Sequence, residues 1–235
     1  MPKDIAGSIK SVVYSEASAR FVKAYEAKQL SSKLGSDWDK EDDPLLTEVK
    51  REIKKHYLQA QSYTCAYCRQ KIVVEHNGAW DTEHIAPKDI YPGFMFVPEN
   101  LCLSCKDCNG AKSNKHVLVN KSRRRFPNKS KDYTICHPHF DVYSDHIRVI
   151  GEAVLYLPRT KKGQVLIEMC GLLRFVYGFA DYEIVDLNIG AKVVALGTAL
   201  QNAQSGFEQI AIAQMLSTML DDGLRAAARR ELEKI

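Results

Sequence analysis

Four of the seven cysteines fall in two C-x-x-C pairs, Cys65-Ala-Tyr-Cys68 and Cys105-Lys-Asp-Cys108. Two such knuckles can offer four thiolates at tetrahedral spacing, which suits Zn²⁺. A closed set of four sulfurs leaves no open coordination position, so this zinc is expected to be structural and to replace core that a small module lacks. Between the knuckles lies DTEHIAPK, residues 81–88. Glu83 supplies a hard anionic oxygen, and His84 a base that titrates near neutral pH. Asn109, directly after Cys108, adds an amide oxygen. Glu83 and Asn109 make an all-oxygen pair with one negative charge, which leaves most positions to water and phosphate and favours Mg²⁺ or Mn²⁺. A base, a hard cation and something to aim the base are what hydrolysis of a phosphodiester requires.

Other residues near these are weighed on their spacing. Asp81 stands two residues before Glu83 and shares its face if the segment is a strand, which makes it a reserve ligand. Lys112 stands three residues after Asn109, on the same face of a helix, and could contact phosphate. Cys102 and Cys105 also read C-x-x-C, but Leu101 and Leu103 flank Cys102, so a buried thiol is expected there and the pair 105/108 is preferred. Cys136 and Cys170 are expected to be buried and inert. His137 and His139, in CHPHFD, could ligate a metal, although core histidines are commoner. One geometric demand stands out. Glu83 and His84 are adjacent, and neighbours on a strand point to opposite faces, so both serve one site only if the strand bends or ends there.

The elements that must position these residues follow from periodicity and punctuation. SEASARFVKAYEAKQL, after a Ser cap, has helical spacing. A polar break, LGSDWDKEDDP, precedes PLLTEVKREIKKHYLQAQ, with Leu45, Leu46, Val49, Ile53, Tyr57 and Leu58 on one face; this helix delivers the chain to Cys65. KIVVEH and AWDTEHI read as short strands around Asn77-Gly78, a pair that favours a tight hairpin turn. Pro87, Pro92, Gly93 and Pro98 break regular structure, and a short helix is expected over Lys106–Asn114. Residues 117–146 read as irregular, and residues 147–170 as two or three strands. GAKVVALGTALQNA, FEQIAIAQMLSTML and LRAAARRELEKI then read as three helices.

At 235 residues, 45% hydrophobic and 26% charged, the composition is that of a globular protein. MPKDIAGSIK has no apolar run after its lysine, so no signal peptide is expected. No stretch nears the ~20 apolar residues of a membrane span. The expected compartment is the cytoplasm, where paired cysteines read as metal ligands rather than disulfides. The net charge of +4 is unevenly spread: Gly110–Lys131 holds eight Lys or Arg and no Asp or Glu. Lys115, Arg123, Arg124 and Arg125 in this tract are candidate contacts to a nucleic-acid backbone.

The order Cys65-x-x-Cys68, Glu83-His84, Asn100-Leu101, Cys105-x-x-Cys108-Asn109, Lys112 resembles the HNH endonucleases of the ββα-metal class. The resemblance implies a hairpin and helix clasping one catalytic metal, with the cysteines on a separate zinc. It gives Asn100 the task of holding the loop, and so the His84 ring, in place. Asn109 departs from the commonest pattern by standing where a histidine is usual. HYLQAQSYTCAYCRQ and CNGAKSNK are similar, further, to HNH proteins that accompany an ABC-type ATPase in bacterial antiphage systems of the Septu kind. The expected fold is thus α+β: a ββα-metal core over residues 63–146, between an N-terminal helical segment, 1–62, and residues 147–235, short strands followed by helices. The expected function is metal-dependent cleavage of nucleic acid. The likeness points to DNA, and the absence of a groove-reading element to weak sequence specificity. A partner ATPase or self-association would use the helical tail, and no membrane is expected. The alternative is a zinc-bound module that binds nucleic acid or a partner without chemistry.

Overall fold

The computed structural model describes residues 9–75, 78–150, 155–177 and 185–232. The chain forms two compact units that divide between Tyr143 and Ser144. The fold class is α+β, with two small antiparallel two-stranded sheets among the described residues, one in each unit.

The first unit holds the chemistry-bearing residues. Helix α1 (Glu16–Glu26) starts at Ser15, whose hydroxyl accepts from the Ser18 amide, and buries Val22 and Tyr25. Helix α2 (Pro44–Ala60) starts at Asp43, whose carboxylate accepts from the amides of Leu45 and Leu46, with Pro44 in the first turn where no amide hydrogen is needed. It buries Leu46, Val49, Ile53, Tyr57 and Leu58; Leu45, expected on that face, is exposed, since it stands about 100° round the helix from Leu46 at the edge of the stripe. After α2 the chain reverses through Ser62 and Tyr63, both at positive φ.

Strand β1 (Trp80–His84) pairs antiparallel with β2 (Leu101–Cys105), and helix α3 (Lys106–Lys112) follows at once. This is the ββα unit, but its hairpin differs from the expected one. Thr64 and Lys71 make one isolated bridge, Ile72–Glu75 join no ladder, and residue 77 of the expected Asn77-Gly78 turn lies outside the described residues. The partner of β1 is instead the apolar run LCLSC, all five residues of which are buried. A run buried on both faces lacks alternation, so it does not announce itself as a strand. Gln61 sets the first knuckle against β2 from the other side. Its amide donates to Leu103 O at 2.9 Å and accepts from Leu103 N at 2.7 Å, while Ala66 N donates to Leu103 O.

Helix α4 (Tyr143–His146) is a single turn at the division of the units. In the second unit, β3 (Ile147–Ile150) pairs with β4 (Leu155–Pro158). Of the two or three strands expected over residues 147–170, two form, and the stretch after them is helix α5 (Lys161–Met169), capped by the Thr160 hydroxyl, with Gly163, Leu166 and Ile167 buried at helical spacing. Helix α6 (Arg174–Tyr177) is one turn, and α7 (Val185–Gln201) and α8 (Gly206–Leu232) complete the unit. The last two expected helices are one continuous element; Gly223 costs about 1 kcal/mol relative to Ala in a helix, too little to end it. The core joins Leu155 and Leu157 of β4 to Leu196 and Ala199 of α7 and Ile212 and Met215 of α8. No helix among the described residues is long and apolar enough to cross a membrane.

Candidate functional site

The knuckles converge. Cys65, Cys68, Cys105 and Cys108 are buried, and their sulfurs all lie within 4.8 Å of one another. Cys68 Sγ and Cys105 Sγ are 3.8 Å apart. Four sulfurs at tetrahedral corners around Zn²⁺ sit about 3.8 Å apart, given Zn–S near 2.3 Å. The donor set therefore fits a closed zinc site. The Cys105 amide donates to Cys65 Sγ at 3.3 Å, a bond that favours the thiolate. Cys102 is buried beside the cage, its thiol pushed up by burial, and Cys136 and Cys170 are buried too.

Asn100 stands at zero exposure at the end of the loop between the strands. Its Oδ1 accepts from Ala86 N at 2.8 Å, and its Nδ2 donates to the carbonyls of Ala86 and Phe94, each at 3.1 Å. These bonds sew both ends of the loop together and fix Met95, whose carbonyl lies 3.1 Å from His84 Nε2. A carbonyl only accepts, so Nε2 carries the hydrogen and Nδ1 keeps its lone pair. Trp38 meets the ring edge-on, with centroids 4.6 Å apart. Burial, with the nearby Lys88 ammonium, pushes the His84 pKa down to about 3, against the pull of the Met95 carbonyl; this is well below the near-neutral titration expected from the residue type, and the ring is neutral at neutral pH.

β1 ends at His84, which meets the demand that adjacent residues serve one place. Asp81, Glu83, His84 and Asn109 all line one cleft of about 560 Å³. Glu83 is 5% exposed; its Oε1 receives the Tyr67 hydroxyl at 3.0 Å and the Lys112 ammonium at 2.5 Å. Burial raises the Glu83 carboxyl above its ordinary range, and Lys112 pulls it back. Its Oε2 takes no hydrogen bond among the described residues. Asn109 does not pair with Glu83. Its Nδ2 donates to Asp81 Oδ2 at 2.8 Å, while Lys106 holds Asp81 Oδ1 at 2.5 Å. Asp81, the reserve ligand, is thus the nearer partner of Asn109. The side-chain oxygens that line the cleft here, on Asp81, Glu83 and Asn109, are hard donors. That set suits Mg²⁺ or Mn²⁺.

Several expected contacts fall elsewhere. Lys112, expected on phosphate, is 1% exposed, pairs with Glu83 and donates to His84 O at 3.1 Å. The Glu83 carboxylate draws it inward, where phosphate cannot reach it. Lys115 donates to Ala111 O, and Arg123 lies 3.5 Å from Asp132. Arg124 and Arg125 are exposed, and none of these four lines the cleft. His139 sets Nδ1 and Nε2 against the carbonyls of Ile9 and Leu101, at 2.9 and 2.7 Å, so neither nitrogen is open to a metal. His137 is buried, and its Nδ1 accepts from the His139 amide.

The cleft also holds residues that sequence reasoning passed over: Trp38, Lys50, Lys54, Lys88 and Lys106. Lys88 binds Asp39 at 2.9 Å and Asp89 at 3.2 Å, joining the segment around Trp38 to the loop between the strands. Gly35 packs so closely on Asp89 that a Cβ there would collide with both its side chain and its Cα. The i, i+4 spacing of Lys50 and Lys54 was a usable signal for a shared helix face, though not for what that face meets.

Residues 65–115 match the family of HNH endonucleases. The chain is also similar to the Septu protein PtuB of Bacillus thuringiensis, at 32% identity over 99 residues, 42% of this chain and 33% of the relative. It spans about a third of the length of that relative. No solved structure matches.

Proposed function

We propose that this protein is a metal-dependent endonuclease that hydrolyses phosphodiester bonds of DNA without strong sequence specificity. The observation that carries the reading is His84: its Nε2–H is tied to the Met95 carbonyl, its ring is neutral, and it lines one cleft with Asp81, Glu83 and Asn109. His84 Nδ1 takes the proton from the attacking water. Asn100 is a positioning residue, since it fixes the loop whose carbonyl orients the ring. Glu83, Asp81 and Asn109 would hold Mg²⁺ or Mn²⁺, which would supply charge neutralisation at the phosphate and leaving oxygen. The four cysteines hold Zn²⁺ as scaffold. The likeness to a Septu protein supports a further reading, a nuclease effector of antiphage defence; an ATPase partner follows from the sequence resemblance alone, and the cytoplasm from the sequence reading.

The test mixes pure, zinc-loaded protein with supercoiled plasmid and Mg²⁺ or Mn²⁺. Nicking by the wild type and its loss by more than a hundredfold in His84→Ala, with zinc content and folding retained, is the expected result. Equal nicking by both proteins refutes the role of His84. DNA binding without cleavage by either, also after addition of an ATPase partner, favours the non-catalytic zinc module.

A further inference from the structure

The lysines of the cleft are not the ones that the basic tract advertises. Four ammonium groups line it, from Lys50, Lys54, Lys88 and Lys106. Three carboxylates face them, from Asp39, Asp81 and Glu83, and Glu83 is already neutralised from within by Lys112. Lys88 is bound to Asp39 and Asp89, and Lys106 to Asp81. Lys50 and Lys54 come from a different part of the chain, helix α2, which lies against both strands of the ββα unit. They are four residues apart and so share a face, about 6 Å apart along the helix axis. One strand of duplex presents a phosphate about every 3.4 Å of axis, so two long side chains at that spacing can reach phosphates one or two steps apart. Lys50 places its Nζ 5.3 Å from the centroid of the Trp38 ring, which in turn braces His84. Lys54 is half-buried and lines the cleft with Asp81 and Lys106.

We propose that Lys50 and Lys54 of α2 are the phosphate-contacting wall of the cleft, so that the N-terminal helical segment is the substrate-binding jaw of the nuclease rather than packing alone. The inference rests on the nuclease reading, and it assigns this role to residues outside the stretch that matches the HNH family. It also moves backbone recognition away from Arg123, Arg124 and Arg125. Lys50, Lys54 and Lys106 line the same cleft as His84, Asp81 and Asn109, so a phosphodiester that they hold is held in the cleft of the proposed chemistry. Because the contacts are to phosphate, they confer affinity and orientation but no sequence preference.

The experiment measures binding of the full zinc-loaded chain to a fluorescent 20-mer duplex, with no other divalent ion present, across a series of salt concentrations. Each phosphate contact contributes about 0.9 to the slope of log K against log salt. Lys50→Gln/Lys54→Gln is expected to lower that slope by about two and to weaken binding at least tenfold at 0.1 M salt. Lys50→Arg/Lys54→Arg is expected to keep the wild-type slope, and Arg123→Gln/Arg124→Gln/Arg125→Gln to change it by less than one. Zinc content and thermal melts confirm that the variants fold. An unchanged slope in the Gln pair, with plasmid nicking by the wild type intact, overturns this inference and leaves the nuclease reading standing. A lowered slope with no nicking by the wild type under any metal, also after addition of an ATPase partner, overturns the nuclease reading and keeps the two lysines only as phosphate contacts of a binding module. A wild type that binds no nucleic acid overturns both.

Discussion

Replacing Lys112 by Met leaves Glu83 buried without its cation, and the size of the effect follows from the geometry. Nζ and Oε1 are 2.5 Å apart, and the two side chains are 1% and 5% exposed. Breaking a pair that is buried on both sides typically costs about 3–5 kcal/mol, because one charge stays desolvated and uncompensated. Protonation of Glu83 caps the loss. Keeping it neutral at pH 7.5 costs about 1.36 kcal/mol for each pH unit above its unfolded pKa near 4.3, which is about 4.4 kcal/mol. At pH 5.5 the same cap is only about 1.6 kcal/mol. In the variant the folded pKa of Glu83 lies above the unfolded one, so its stability is intact below pH ~4.3 and is lost as the pH rises. Lys112→Met should therefore lose about 3–4 kcal/mol relative to the wild type at pH 7.5 and less than about half of that at pH 5.5. Adding Glu83→Gln should recover most of the loss. Urea denaturation of zinc-loaded protein at the two pH values measures it, always as a difference from the wild type. A loss under about 1 kcal/mol at pH 7.5, or one that does not shrink on acidification, would refute the account of Lys112 as the buried partner of Glu83.

Two further outcomes concern the scaffold. Asn100→Ala removes three hydrogen bonds at a site of zero exposure and should cost about 2–4 kcal/mol in denaturation. It should also slow plasmid nicking at saturating Mn²⁺ while leaving the DNA-binding salt slope unchanged, since it acts through the Met95 carbonyl and the His84 ring. Stripping zinc with a chelator, or Cys108→Ser, should remove one zinc per chain by elemental analysis. The loss is on the order of 10 kcal/mol of metal-linked folding energy, so amides in residues 101–112 should exchange freely with deuterium. Their continued protection would mean that the cysteine cage is not what holds β2 and α3.

Much of the site was legible before any coordinates. Thiolate spacing is a local chemical code, and Cys65, Cys68, Cys105 and Cys108 gather as that code requires. Helix caps are equally local, so Ser15 and Asp43 announce α1 and α2. His84, Glu83, Asn100 and Asn109 could be singled out because their types and order carry a recognisable chemistry. What depended on distance along the chain could not be read in this way. The partner of β1 is a strand that begins seventeen residues after β1 ends, and its continuous burial hides its period. The inward turn of Lys112, the pairing of Asn109 with Asp81 rather than Glu83, and the arrival of Trp38, Lys50 and Lys54 at the cleft all depend on packing between remote segments. Residue type says what a group is able to bind. Only the folded backbone says which neighbour reaches it first, because desolvation makes the nearest opposite charge the one that counts.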